Sequence, residues 1–296
     1  MPSYRSGPTR RRRGLATLIG TFVSALAVLL ALPGAATAAP PGPGTAPAQQ
    51  SPSEAPLKPG EAWMGAGVQQ HEGDDTSGKP PGERARLAAT VEGVDVSSHQ
   101  GNVNWKGLWD SGVRWAYVKA TEGTSYKNPY FAQQYNGSYN IGMIRGAYHF
   151  ATPNSSSGAT QANYFASNGG GWSKDGKTLP GVLDIEYNPY GATCYGLSQS
   201  AMVNWIKDFT STYKARTGRD AVIYTTTNWW TQCTGNSSSF GNTNPLWIAR
   251  YASSPGTLPA GWGFYTFWQY TSSGPIVGDH NVFNGAMDRL RALANG

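Results

Sequence analysis

The sequence has little charge, few acidic residues and almost no cysteine. Only 14% of its 296 residues are charged, with 17 acidic against 23 basic residues and 2 cysteines. It has no His-x-x-x-His helix, no Cys/His ligand spacing and no Gly-x-Ser-x-Gly elbow, and its Gly169-Gly170-Gly171 loop lacks a phosphate-loop lysine. These absences argue against a zinc site, a serine hydrolase and a phosphate-binding loop. We therefore expect neither a metal nor a cofactor.

The N-terminus is typical of a secretory signal. Arg5 and four further arginines at 10–13 precede an apolar stretch at 15–32, which Ala36-Thr37-Ala38 follows as a small-residue cleavage pattern. Residues 1–38 are therefore predicted to be a signal peptide, with an uncleaved membrane anchor as the alternative. No second apolar span follows, so we expect a secreted, extracellular protein with no stable membrane insertion after cleavage.

Removing the signal also removes most of the positive charge. Five of the 23 basic residues and none of the 17 acidic ones lie in it, which leaves 18 minus 17, or +1. No Lys/Arg stripe remains, and the basic isoelectric point is mainly a property of the signal. We therefore expect no nucleic-acid partner, and we expect a monomer.

Residues 39–90 are rich in Pro, Gly, Ala and small polar residues and lack an apolar periodicity that could bury a face. We interpret them as a linker or pro-segment. Trp63, Met64 and Val68 are the exception, a short apolar cluster that either docks on the folded domain or is exposed. Residues 91–296 are long enough for one sizeable core. Cys194 and Cys233 lie within that domain, and export predicts that they form a disulfide rather than free thiols.

Strand and helix signals alternate through the first two thirds of the domain. The best helix signal has Ser198 as N-cap, an apolar stripe from Met202 to Tyr213 and a stop at Gly218. A second helix is predicted from Pro129, capped by Asn128 and ended at Gly142. A short helix is possible near 228–232. The predicted strands are residues 91–96, 115–120, 143–150, 180–187, 221–226, 246–251, 265–270 and 276–282. The pattern predicts an α/β fold, a barrel that begins as β/α units and ends with strands joined by loops.

Acidic residues are scarce in the domain, yet four of its eleven lie within or at the end of apolar strand signals. These four are Asp95, Asp184, Glu186 and Asp279. Asp184 and Glu186 are two apart and share one face of a strand, with backbone positions roughly 6 to 7 Å apart. A pair of carboxyl groups on that scale suits hydrolysis of a glycosidic bond. The first and last strands are neighbours in a closed barrel, so Asp95 and Asp279 are expected to flank that pair.

Six motifs in this order resemble family 25 of the glycoside hydrolases, the Chalaropsis-type lysozymes or N,O-diacetylmuramidases found in actinobacteria among others. The motifs are Gly93-Val94-Asp95-Val96-Ser97-Ser98-His99-Gln100-Gly101, Lys119-Ala120-Thr121-Glu122-Gly123, Gly146-Ala147-Tyr148-His149-Phe150, Leu183-Asp184-Ile185-Glu186, Leu246-Trp247-Ile248-Ala249-Arg250-Tyr251 and Trp268-Gln269-Tyr270. The resemblance covers residues 91–296. It implies an irregular TIM-like barrel of about five β/α units followed by three strands.

The resemblance also implies roles for individual residues. Glu186 corresponds to the proton donor, and Asp184 to the partner that steers the substrate's 2-acetamido group or acts more directly. Asp95 and Asp279 correspond to the remaining acids, and Tyr148 to a tyrosine that lines the cleft.

Among the other candidates, Trp247 and Trp268 lie at strand ends beside polar residues and are either sugar-stacking residues or core. Gln269 is the polar neighbour of Trp268 and is predicted to bind substrate. Lys119 and Glu122 are cleft residues or a local ion pair, and we favour the ion pair.

The predicted function is hydrolysis of the β-1,4 bond between N-acetylmuramic acid and N-acetylglucosamine in peptidoglycan, including 6-O-acetylated strands. One alternative is a chitinase or endo-β-N-acetylglucosaminidase, although the longer Asp-x-x-Asp-x-Asp-x-Glu pattern is missing before Asp184. The other alternative is a wall-binding protein that has lost turnover.

Overall fold

The computed structural model of the protein describes residues 57–73 and 90–296. The predicted signal, residues 1–38, and much of the predicted linker lie outside the described residues. Across the two described ranges, no helix combines the length and the apolar character needed to cross a membrane.

Eight of the nine strands in the described ranges close into a barrel. The strands are β1 Val91–Val96, β2 Trp115–Glu122, β3 Tyr126–Lys127, β4 Ile144–Phe150, β5 Val182–Asp184, β6 Val222–Thr225, β7 Leu246–Ala249, β8 Phe267–Thr271 and β9 Asp279–Phe283. Each barrel strand pairs with its neighbours in the order β1-β9-β8-β7-β6-β5-β4-β2, and β1 pairs with β2 to complete the ring. All neighbours are parallel except β9, which is antiparallel to both β8 and β1. The two-residue strand β3 adds to the edge of β2.

Helices follow the first five barrel strands, and three strands without intervening helices complete the barrel, which confirms the predicted fold. A helix also precedes the barrel, and another ends the chain. The helices are α1 Ala66–Glu72, α2 Trp105–Asp110, α3 Phe131–Asn140, α4 Gly158–Ser167, α5 Gln199–Thr217, α6 Thr227–Thr234 and α7 Met287–Asn295, with a 3-10 turn at Ser98–Gln100.

Two helix predictions have different outcomes. Helix α5 begins after Ser198, whose side chain accepts a hydrogen bond from the Ala201 N–H, and ends at Gly218 with φ of 76°, as predicted. Helix α3 begins later than predicted, with Tyr130 as its N-cap residue. The Asn128 side chain accepts from the Tyr130 N–H at 2.9 Å. Asn128 therefore closes a turn before the helix, because its oxygen satisfies a donor two residues on.

The strands carry different residues on their two faces, as the period of two requires. On β5, Leu183 packs in the same apolar cluster as the buried face of α5, whereas Val182 belongs to a second cluster. That second cluster fills the barrel interior, since the rings of Trp115 on β2 and Trp247 on β7 lie 5.7 Å apart across it. A Cβ on Gly93 would overlap the Trp115 ring, so this glycine makes room for the interior aromatic side chain.

The predicted disulfide is confirmed. It joins Cys194, in the loop between β5 and α5, to Cys233 on α6, with their Cα atoms 5.3 Å apart. Its two ends hold the loop that follows Asp184 and Glu186 against a neighbouring helix of the barrel.

Candidate active site

Strand β5 and the residues that follow it place two of the four candidate acids in the barrel opening. Leu183 and Ile185 pack against the surrounding helices. Asp184, the last residue of β5, and Glu186 alternate with them and therefore face the interior end. The strand is shorter than the predicted residues 180–187. The alternation nevertheless continues to Glu186, since the Ile185 N–H still donates to the Tyr224 carbonyl of β6 at 3.0 Å.

Strands β1 and β9 bring Asp95 and Asp279 to the same end of the barrel. Asp95 lies near the end of β1 and pairs directly with Asp279, the first residue of β9. Because β9 is antiparallel, its first residue meets the carboxyl ends of the parallel strands. The Gln269 amide links the two acids, with Nε2 at 2.9 Å from Asp95 Oδ2 and 3.3 Å from Asp279 Oδ2. Asn281 also donates to Asp95, at 2.8 Å.

All four acids are buried, with exposed fractions of 3% for Asp95, 0% for Asp184 and Glu186, and 4% for Asp279. Burial disfavours the charged form of a carboxyl group. It raises the pKa of Asp95 from 3.8 to about 7, although hydrogen bonds from Asn281 and Gln269 oppose the change. It raises the pKa of Glu186 from 4.5 to about 8. Burial and the neighbouring acids also raise the pKa values of Asp184 and Asp279 well above the usual range.

Asp184 is the acid with unused hydrogen-bonding capacity. Both of its carboxyl oxygens are buried, and neither has a hydrogen-bond partner among the described residues. Buried polar atoms are normally paired, so two free acceptors on one side chain are unusual. The nearby Lys119 ammonium opposes the rise in the Asp184 pKa, and Glu186 adds to it. The site therefore holds a carboxyl group whose hydrogen-bonding capacity the described residues do not use.

Tyr148 and Gln269 lie with the acids. Tyr148 is fully buried on β4, and burial followed by the charges of Asp95 and Asp184 raises its pKa well above 10. The Gln269 Oε1 accepts from the hydroxyls of Tyr224 at 2.6 Å and Tyr251 at 3.0 Å, which fixes the orientation of the amide.

The two candidate tryptophans do not line the cleft. Trp247 lies in the barrel interior among Trp115, Tyr117 and Phe267, and its Nε1 donates to Asn281 Oδ1 at 3.0 Å. Trp268 points away from the interior, because its neighbour Gln269 points into it. Its ring packs in the layer between strands and helices, and its Nε1 donates to the Arg250 carbonyl at 2.9 Å. The substrate-binding prediction for Trp268 therefore conflicts with its position, and Trp247 is a core residue.

Lys119 and Glu122 form the predicted ion pair, and they also lie at the site. Lys119 Nζ is 2.6 Å from Glu122 Oε2, and both side chains are buried. Lys119 follows Trp115 and Tyr117 on the interior face of β2. Glu122 further accepts from the Tyr190 hydroxyl at 2.7 Å. The period-two signal on β2 was available in the sequence, whereas no sequence pattern indicated Tyr190.

The described part of residues 39–90 reaches this site. The Gly65 N–H donates to Glu186 Oε1 at 2.6 Å, and the Gly67 N–H donates to Glu186 Oε2 at 3.1 Å. Met64 and Val68 are fully buried in the same apolar cluster as the barrel interior. The cluster of Trp63, Met64 and Val68 therefore docks on the folded domain instead of being exposed. In the described ranges, no three His, Cys, Asp or Glu side chains are grouped as ligands for a metal.

Comparisons with known proteins agree with this geometry. Residues 94–279 match Glycosyl hydrolases family 25. Lysozyme M1 of Streptomyces globisporus is 50% identical over 304 residues, covering 100% of this chain and 99% of its own. The N,O-diacetylmuramidase of Chalaropsis sp is 51% identical over 211 residues, covering 70% of this chain and 100% of its own. A solved muramidase from Acremonium alcalophilum is 66% identical with a TM-score of 0.69, covering 70% of this chain and 99% of its own. The chain belongs to glycoside hydrolase family 25.

Proposed function

We propose that this protein is a secreted lysozyme that cuts the β-1,4 bond between N-acetylmuramic acid and N-acetylglucosamine in peptidoglycan, including 6-O-acetylated strands. Four buried acids around one barrel opening carry the proposal. The relatives named lysozyme and N,O-diacetylmuramidase support the substrate and its acetylated form. Residues 1–38 would direct export, and residues 91–296 would form the catalytic barrel.

Glu186 is proposed as the general acid. Burial in the barrel opening and the charge of Asp95 raise its pKa above the ordinary 4.5, which favours the protonated carboxyl group. A protonated carboxyl group can deliver that proton to the glycosidic oxygen as the bond to the anomeric carbon breaks. The same group then accepts a proton from water when the intermediate is hydrolysed.

Asp184 is proposed to assist the substrate's own acetamido group. Its two unpaired oxygens are suitable acceptors for the acetamido N–H. A hydrogen bond there would direct the acetamido carbonyl oxygen at the anomeric carbon, to which it bonds as the leaving sugar departs. Such intramolecular positioning can lower a barrier by about 7 to 11 kcal/mol. Asp95, Asp279 and Gln269 would hold this pair and the sugar ring in place.

The test is clearing of a cell-wall suspension by residues 90–296 and by its Glu186→Gln variant. Loss of the general acid should slow clearing by about 10² to 10⁴-fold. Asp220→Asn is the control, because it makes an acid-to-amide change at a partly exposed ion pair with Lys214. Undiminished clearing by Glu186→Gln, with the Asp220 control also active, would remove Glu186 as the acid.

A further inference from the structure

We propose that residues 57–73, here called the plug segment, are a built-in inhibitor that blocks the catalytic cleft of the full chain until the segment is removed. The proposal rests on the assignment of Glu186 as the general acid. The plug segment includes helix α1, and it contributes no strand to the barrel.

The plug segment occupies both oxygens of Glu186. Gly65 and Gly67 each donate a backbone N–H to one of them. These two bonds oppose the rise in the Glu186 pKa that burial causes, but burial is the larger effect and the carboxyl group keeps its proton. Both oxygens are nevertheless occupied by N–H donors, and the backbone of the plug segment lies where a glycosidic oxygen would have to approach the carboxyl group.

Further peptide groups of the plug segment contact the polar side chains around the cleft. The N–H groups of Gly60, Ala62 and Met64 donate to Glu122, Tyr190 and Tyr148, at 2.7, 3.1 and 3.3 Å respectively. The carbonyls of Gly60 and Ala62 accept from Lys119, and that of Met64 accepts from Gln269.

A peptide group presents one N–H donor and one C=O acceptor, as does the acetamido group of an amino sugar. The plug segment therefore uses the same hydrogen-bonding groups that an N-acetylated glycan strand would need. Binding of the plug segment and binding of a glycan should be mutually exclusive, which predicts competitive inhibition.

Glycines make this close approach possible. A Cβ on Gly67 would overlap the Tyr187 side chain and lie 3.2 Å from Glu186 Oε2. Gly65 has a φ of 92°, and a Cβ there would overlap the Tyr251 hydroxyl and lie 2.8 Å from Gln269 Oε1. Only glycine fits these two positions without displacing residues of the site. The fit is thus specified by the sequence of the plug segment.

The end of α1 adds side-chain contacts at the rim. The His71 ring stacks on the Tyr187 ring with centroids 4.2 Å apart, and the Tyr187 hydroxyl donates to Glu72 at 2.7 Å. Trp63 meets the His99 ring edge-on at 4.5 Å. With these contacts in place the four acids are almost completely buried. During turnover the cleft must admit a polysaccharide, so the acids cannot remain buried in this way.

The barrel does not depend on the plug segment for its fold. Strand pairing closes the ring within residues 91–283. The Chalaropsis and Acremonium muramidases match 70% of this chain over nearly their whole length. Residues 90–296 make up that same share, since 296 minus 89 is 207 residues. An open, active barrel is therefore expected when the chain begins at residue 90.

The first experiment compares clearing rates of residues 39–296 and residues 90–296 on the same cell-wall suspension. A covalently joined segment acts at an effective concentration on the order of 1 mM. A plug segment with a dissociation constant of about 100 µM or below would therefore slow the longer chain at least about ten-fold. The double variant Gly65→Ala/Gly67→Ala of the longer chain should recover most of that loss. Equal rates for the two chains would overturn the proposal.

Gly73→Ala is the matched control within the plug segment. Gly73 also has a positive φ, 77°, but a Cβ there meets nothing within 4 Å. An alanine at this position is also held at a positive φ but meets no neighbouring atom, so the longer chain should stay slow. A rate increase with Gly73→Ala equal to that of the double variant would contradict the proposed contacts.

A binding measurement separates this proposal from the proposed function. A synthetic peptide of residues 57–73 is titrated calorimetrically into residues 90–296. We expect binding at about 100 µM or tighter, weakened at least ten-fold by Gly65→Ala/Gly67→Ala and within two-fold for Gly73→Ala. If neither chain clears cell wall but the peptide binds in this pattern, the lysozyme assignment fails and the plug segment remains the ligand of the cleft. Absence of peptide binding would overturn the inhibitor proposal whatever the activity.

Discussion

The buried carboxyl groups should make the full chain less stable as the pH rises, and Glu186 allows the size of the effect to be worked out. Its pKa is about 8 in the folded chain against 4.5 as the ordinary value. Between these pH values the folded chain holds a proton that the unfolded chain has lost. The free energy of unfolding therefore decreases as the pH rises, by about 1.4 kcal/mol per pH unit for each such proton.

Glu186→Gln removes the carboxyl group that holds one of these protons in the folded chain. Between pH 5.5 and pH 7.5 the parent should lose about 2.5 kcal/mol more stability than the variant. Asp95, with a pKa of about 7, adds to the decline in both proteins. Urea unfolding of residues 39–296 at pH 5.5, 6.5 and 7.5 measures the slope directly.

Asp175→Asn is the control for this experiment. Burial would raise the pKa of Asp175, but hydrogen bonds from Lys177 and Thr178 lower it overall. The group is ionised in both states above pH 5, so its removal should shift the stability without changing the slope. Equal slopes for the parent and Glu186→Gln would refute the claim that this carboxyl group keeps its proton in the folded chain.

Further substitutions test three other parts of the structure. Replacing Cys194 and Cys233 by serine should lower the free energy of unfolding by up to about 4 kcal/mol, since the bridge closes a loop with a sequence separation of 39; an unchanged urea midpoint would contradict this. Lys119→Met should cost about 3 to 5 kcal/mol by leaving Glu122 buried without its cation, and Lys119→Met/Glu122→Gln should recover part of it in the same unfolding assay. Trp268→Phe should lower stability by about 1 to 3 kcal/mol while leaving KM within two-fold; a large rise in KM would restore Trp268 as a sugar-binding residue.

The sequence was sufficient to predict the architecture, because the period of the apolar residues indicates the strands and helices and the spacing of those segments indicates their order in the barrel. Strand β1 at residues 91–96 and helix α5 between Ser198 and Gly218 lie where the patterns predicted them. The meeting of Asp95 and Asp279 also followed, since it needs only a closed ring with first and last strands adjacent. These features depend on local patterns and on one topological rule.

Other features depend on the direction of a single side chain or on long-range contacts. Trp268 and Gln269 are neighbours in sequence, and only the strand register decides which of them faces the acids. Asn128 has the residue type of a helix cap but closes a turn instead. The contact between Gly65 and Glu186 spans 121 residues, and nothing in the composition of residues 39–90 indicates a partner for those peptide groups.

The acids around Glu186 are proposed to cut one particular bond of peptidoglycan. The most direct measurement is mass spectrometry of the fragments that residues 90–296 release from purified peptidoglycan, with and without O-acetylation. We expect N-acetylmuramic acid at every new reducing end, and no released fragments with Glu186→Gln. New reducing ends of N-acetylglucosamine, or fragments that persist with Glu186→Gln, would contradict the proposal.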